Sequence, residues 1–73
     1  FGMLFLFDRE EERSFWMKNT FVPLDMIFIR RDGTIHHIHP NAIPHDLTPV
    51  PSNGPVMAVL EVKGGQAGKL GIG

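Results

Sequence analysis

The amino-acid sequence predicts a mainly β domain, a compact β-sandwich or barrel with one short C-terminal helix. Three features carry that expectation. Ser14 to Lys18 alternates, with Phe15 and Met17 on one side and Ser14, Trp16 and Lys18 on the other, which is the two-residue period of a strand. Asp32-Gly33 stands between two apolar blocks and is the strongest local turn signal in the chain. Val56 to Val62 alternates again and stops at Gly64-Gly65.

The elements follow in order. Met3-Leu4-Phe5-Leu6-Phe7 is an unbroken apolar run of strand length, and the charged stretch Asp8 to Arg13 behind it is expected to be a solvated turn. Pro23 interrupts the next pattern, so 19–24 is expected to be a loop or bulge before a second strand, Asp25 to Arg31. A type I′ turn at Asp32-Gly33 would set Ile27 opposite Ile38 and Phe28 opposite His37, so both faces carry large apolar side chains and both need cover. Between His39 and Pro55, five prolines with Asn41, Asn53 and Gly54 predict a long irregular loop. Gln66 to Leu70 has room for one or two helical turns, closed by Gly71 in the left-handed conformation. Six phenylalanines and one tryptophan are available for the core, and Met3, Met17, Met26 and Met57 each fall inside an apolar strand pattern.

Composition narrows the function classes. A chain of 73 residues, 42% hydrophobic and 21% charged, is one small globular domain (1–73) in the range where burial only narrowly offsets chain entropy. No cysteine is present, so neither a disulfide nor a thiolate metal site supports it. A formal charge of −1 gives no general attraction to nucleic-acid phosphates or to anionic lipid. No apolar run reaches the roughly 20 residues of a membrane helix, and no signal-peptide pattern precedes Phe1. The absence of an initiator methionine is compatible with removal of a natural N-terminal portion and any targeting segment in it.

The string Phe15-Trp16-Met17-Lys18-Asn19-Thr20, followed by Pro23-Leu24-Asp25-Met26, strongly resembles the bacterial and archaeal family catalogued as domain of unknown function 192. Gly2-Met3-Leu4-Phe5, Ile38-His39 and Ala58-Val59-Leu60-Glu61-Val62 with Gly64 fit the same pattern, so the resemblance covers nearly the whole chain. It implies a β-sandwich or compact barrel with one short helix, often in proteins with an export signal or lipid anchor, and no established reaction. Two departures stand out. The family's usual N-terminal and final strands are absent from this stretch, which would leave open sheet edges able to associate with a second copy. His36-His37 replaces apolar or small residues, while His39 fits.

The polar residues worth naming are Trp16, Lys18, Asn19, Asp25 and Glu61, which lie in or beside strands that otherwise supply core side chains and therefore need partners. In the structural reading, Lys18 pairs with Asp25 or Glu61, and Asn19 and Thr20 satisfy loop backbone near Pro23. In the binding reading, Trp16 is a platform and Lys18, Asn19 and Asp25 direct hydrogen bonds to a sugar-like or carboxylate-bearing ligand. In a hydrolytic reading, Asp25 and Glu61 form an acid and base pair. His37 and His39, two apart on one strand face, with His45 in the following loop, make a weak metal candidate. The sequence as a whole favours a non-enzymatic binding or interaction module with no cofactor, its partner an unidentified small ligand or protein. The resemblance adds a periplasmic or cell-envelope location. A small hydrolase or metal-dependent enzyme built on Asp25, Glu61 and the histidines is the alternative.

Overall fold

The computed structural model describes residues 2–69 and 71, with β1 (Gly2–Phe15), β2 (Leu24–Ile29), β3 (Ile35–Ala42), β4 (Val50–Lys63) and α1 (Gln66–Lys69) in chain order. All pairing is antiparallel, in one four-stranded sheet of order β1-β4-β2-β3. The domain is thus mainly β with one short helix, as the periodicity and the resemblance imply. Gly71 takes a positive φ of 72° behind α1, while Leu70, the last residue of the expected helix, lies outside the described residues.

Two expected irregular stretches are strand instead. Asp8 to Arg13 continues β1, because β1 is an edge strand whose outer side has no ladder to satisfy and tolerates charge. The register against β4 slips between Leu6 and Glu11 and again between Glu12 and Ser14. These bulges bend the strand until Phe15 comes back to Phe5, ring centroids 6.2 Å apart. The predicted long loop shrinks to 43–49: β3 runs on through Pro40 on the opposite edge, and β4 starts at Val50 and carries Pro51 and Pro55. Both prolines of β4 sit beside its register slips, where a missing N–H costs no regular ladder bond. Gly54, with φ 147°, belongs to the same bulged stretch; a Cβ there would lie 2.7 Å from Nε2 of His36.

The β2–β3 hairpin has the expected pairs, Ile27 with Ile38 and Phe28 with His37. Its turn differs. Gly33 donates to the Arg30 carbonyl at 3.0 Å and alone in the turn has positive φ, so Arg31-Asp32 occupy the corner and Gly33 follows it. Asp32 accepts from the Thr34 backbone and hydroxyl, an Asx arrangement that favours this geometry. The register slips by one between Phe28 and Ile29, leaving His36 without a cross-strand partner, and this bulge restores the register expected deeper in the hairpin.

Curling gives the sheet its core. Met17, Leu24, Met26, Phe28, Val56 and Val59 pack on one face, with Phe7 and Phe15 against them. On the other face Ile27 and Val62 pack beneath Ala67 of α1. Met3 is exposed, and the tryptophan does not join the core; Met17 and Met26 do.

A four-residue helix does not persist alone. Here Asp25, 1% exposed, holds it: Oδ2 accepts the N–H groups of Gly65 and Ala67, each at 3.0 Å, and Oδ1 accepts the Asn41 N–H at 2.8 Å. Burial pushes the carboxyl pKa up, but the three N–H bonds together outweigh it and hold the group below its usual range. A depressed folded pKa contributes stability that is complete above the unfolded value, about 3.9, and is lost as pH falls below it toward the folded one. Asp25→Asn should therefore cost about 2–3 kcal/mol in denaturant unfolding at neutral pH, since an amide turns a donor toward at least one of these N–H groups. The variant should also lose stability less steeply than the parent below about pH 4; equal slopes would assign the acid sensitivity to Asp32 and Asp46, whose pKa values are lowered by the hydroxyl and backbone of Thr34 and by the backbone of Thr48.

Candidate functional site

Met17 is the anchor of the loop 16–23. Its side chain is 1% exposed in the core, and its N–H donates to the Asp46 carbonyl at 3.1 Å, tying this loop to loop 43–49. The strand expected over Ser14 to Lys18 ends at Phe15, and with Met17 turned into the core its neighbours in the loop face outward. Trp16 is 54% exposed, and Lys18 is exposed beside it with Nζ 5.4 Å from the ring centroid. Thr20 N–H closes a turn on the Met17 carbonyl at 3.2 Å, with Lys18 and the exposed Asn19 at the corner.

Loop 43–49 supplies the other wall. His45 adopts φ 64°, and its ring meets that of Phe21 edge-on at 5.0 Å. Asp46 accepts the Thr48 N–H at 2.9 Å and donates its own to the Ile43 carbonyl. Ser14, Phe15, Trp16 and Pro49 line a hollow of about 210 Å³ between strand end and loop. Around it Phe21, Val22, Ile43 and Leu47 are also exposed, a set of apolar side chains from two linked loops at one end of the molecule.

The five residues singled out in the sequence separate into three places. Trp16 and Lys18 meet at the surface, with Asn19 at the adjoining turn. Asp25 is spent on the backbone N–H groups of Asn41, Gly65 and Ala67. Glu61 pairs across the sheet with Met26 and Met3, while Asp25 pairs with Val62, so the two carboxylates point to opposite faces and form no acid and base pair. Half-buried among methionines, Glu61 has its pKa raised by desolvation. Neither acid pairs with Lys18; among the described residues the ion pairs are Arg9 and Arg13 with Glu11.

The histidines do not converge either. His37 and His39 share the face of Phe28 and Met26, as their spacing implies, but the His37 ring stacks on Phe28 at 5.8 Å and His45 lies against Phe21. Among the described residues no three His, Cys, Asp or Glu side chains group at metal-binding range. His36 instead bridges Arg30 at 2.7 Å and the Asn53 carbonyl at 2.9 Å. The sequence does not single out Phe21, Ile43 and Leu47; an isolated apolar residue in a loop carries no periodic signal, and only the tie between the two loops reveals them.

Fold and site together define a small single-sheet β domain with an aromatic loop surface and no assembled catalytic pair among the described residues. The chain belongs to the family DUF192, described as uncharacterized ACR, whose profile matches residues 1–73. No curated protein matches it. It is similar to the crystal structure of a Sinorhizobium meliloti 1021 protein provisionally described as a transcription regulator, at 49% identity and TM-score 0.95, covering 99% of this chain and 56% of that one. It is equally similar to a protein of unknown function from Novosphingobium aromaticivorans DSM 12444, at 49% identity and TM-score 0.94, covering 99% of this chain and 51% of that one. The chain thus spans about half the length of these two relatives.

The adjacent residues Trp16 and Met17 should behave oppositely in denaturant unfolding. Trp16→Ala should cost less than about 1 kcal/mol, as a surface truncation does, and Met17→Ala about 2–5 kcal/mol. The reverse order would place the tryptophan in the core.

Proposed function

We propose that this domain is a non-enzymatic binding module whose site is the loop surface of Trp16 and Lys18, and that its ligand joins an apolar body to an anionic group. The observation that carries the reading is the outward Trp16 ring, fixed by the buried Met17 behind it, with an exposed ammonium beside it that makes no ion pair among the described residues. An indole exposed in this way offers contact area at small entropic cost, and the ammonium supplies charge recognition. The hollow beside it, at about 210 Å³, is below the roughly 300–1,000 Å³ of enclosing ligand pockets, which favours a ligand laid on the surface. Nucleic acid, the partner suggested by the description of the Sinorhizobium meliloti relative, gains no electrostatic support from a net charge of −1 and arginines that share their end of the sheet with acids. A periplasmic or cell-envelope location, carried by the family resemblance, is part of this proposal.

Trp16 is the only tryptophan, so intrinsic fluorescence reports on this site alone. Titration with octanoate should change its emission saturably, and Lys18→Ala should weaken the apparent affinity about fivefold, the value of one charge-assisted contact near 1 kcal/mol. Neutral octyl glucoside, below its micelle concentration, should bind more weakly. An unchanged emission with octanoate, or equal binding by the Lys18 variant, would remove this surface as an anion site.

A further inference from the structure

Charged residues are sorted by type along the sheet. The three lysines, Lys18, Lys63 and Lys69, all belong to the end where β2 starts: Lys18 lies in the loop leading into Leu24, Lys63 pairs with Leu24, and Lys69 ends the helix held by Asp25. All three are exposed, whereas the acids of that end, Asp25, Asp46 and Glu61, are buried or half-buried. The arginines gather toward the β2–β3 hairpin: Arg30 and Arg31 in its turn, Arg9 with Arg31, Asp8 and Glu10 around one shallow cleft, and Arg13 reaching back to the Arg9 carbonyl. Glu10 accepts the Arg31 N–H at 2.8 Å, which fixes the acidic run of β1 at that far end.

The lysine end is also where the loop surface exposes Trp16, Phe21, Val22, Ile43 and Leu47, with Phe21 80% exposed. These side chains stand on two loops tied by the Met17 N–H to the Asp46 carbonyl, and of them only Trp16 lines the small hollow. Exposed aromatic and aliphatic side chains that share one end of the sheet with three exposed lysines match the interface of an anionic bilayer, where indole rings settle at headgroup depth and each nearby lysine adds about fivefold in affinity. We infer that loops 16–23 and 43–49 dock this domain on the surface of an anionic lipid membrane, with Phe21 and Leu47 entering the interface and Lys18, Lys63 and Lys69 meeting the headgroups. No helix among the described residues is long and apolar enough to cross a membrane, and surface docking needs none. This inference rests on the binding reading of the Trp16 surface and names its partner.

The test is co-sedimentation of the chain with vesicles, with Trp16 emission followed in parallel. Vesicles of phosphatidylcholine with phosphatidylglycerol should bind the chain and shift the emission to shorter wavelength; phosphatidylcholine alone should bind it more weakly. Phe21→Ala and Leu47→Ala should each reduce partitioning about tenfold, and Lys18→Glu about fivefold or more on the anionic vesicles. Leu6→Ala, removing an exposed leucine from the β1 edge, should leave partitioning unchanged. Octanoate binding at Trp16 without vesicle association would overturn the membrane partner and leave the binding reading standing; failure of both would end both. Equal loss from Leu6→Ala would overturn the assignment to the loops, as would a dimer in solution that Phe21→Ala dissolves.

Discussion

One buried carboxylate organises the end of the sheet that carries the loops. Asp25 sits in the first turn of pleat of β2, yet all its hydrogen bonds go to backbone outside that strand: to Asn41 on β3 and to Gly65 and Ala67 around the start of α1. Without those donors an ionised group at 1% exposure would be costly, and without the carboxylate the buried Ala67 N–H and the partly buried N–H groups of Asn41 and Gly65 would lose their partner. The two requirements cancel only when β3, the end of β4 and α1 stand in their observed places. The positive φ of Asn41, 51°, falls where the β2–β3 register slips between Leu24 and Met26, beside the bond to Asp25. Asp25 therefore explains why so short a helix stays on the sheet, and why a charged residue in a strand of apolar neighbours is structural.

Curvature is the second requirement. A flat four-stranded sheet would leave Phe5, Phe7, Phe15 and Phe28 without cover on one face. The bulges of β1 and β4 fold that face onto itself, so Phe15 touches Phe5, Phe7 and Phe28, each with centroids near 6 Å. Arg13 caps the cluster, its guanidinium 3.9 Å from the Phe7 centroid. One sheet thus supplies both the wall and the lid of its own core, which is how a chain of 73 residues buries Phe28 beneath the partly buried Phe7 and Phe15 without a second sheet.

This explains which parts of the fold were legible in the residues. The pairing of Ile27 with Ile38, the strand over Val56–Val62 and the closing Gly71 are local patterns, and these survive folding, whereas the strand expected through Met17 stops at Phe15. The charged run of β1 and the proline stretch before Val56 were misread because their strand character is conferred by long-range pairing at bulges and edges, where charge and a missing N–H are tolerated. The turn at Gly33 was placed correctly and typed wrongly, since the choice depends on Asp32 accepting from Thr34 and on a compensating bulge at His36. Candidate site residues suffered the same limit. Asp25 and Glu61 look like a pair in sequence, but register puts them on opposite faces, which no one-dimensional spacing across two strands reveals.

The segregation of lysine from arginine follows from what each side chain must do at its end of the sheet. At the hairpin end the cations work within the fold: Arg30 bonds His36 and Thr34, and Arg13 spans a carbonyl, a carboxylate and an aromatic face, tasks suited to a planar fork with several fixed donors. At the loop end Lys18, Lys63 and Lys69 make no ion pair among the described residues, and the acids around them are engaged in capping, in loop turns or in the half-buried face of β4. Flexible, strongly hydrated ammonium groups contribute little to holding such a domain together, and at this end they stand exposed in solvent. The loops present an indole and a phenyl ring that the core has room to exclude because Met17 and Phe15 already fill it. Structural demand therefore accounts for the arginine end of this molecule and does not account for the lysine end, with its outward aromatic rings.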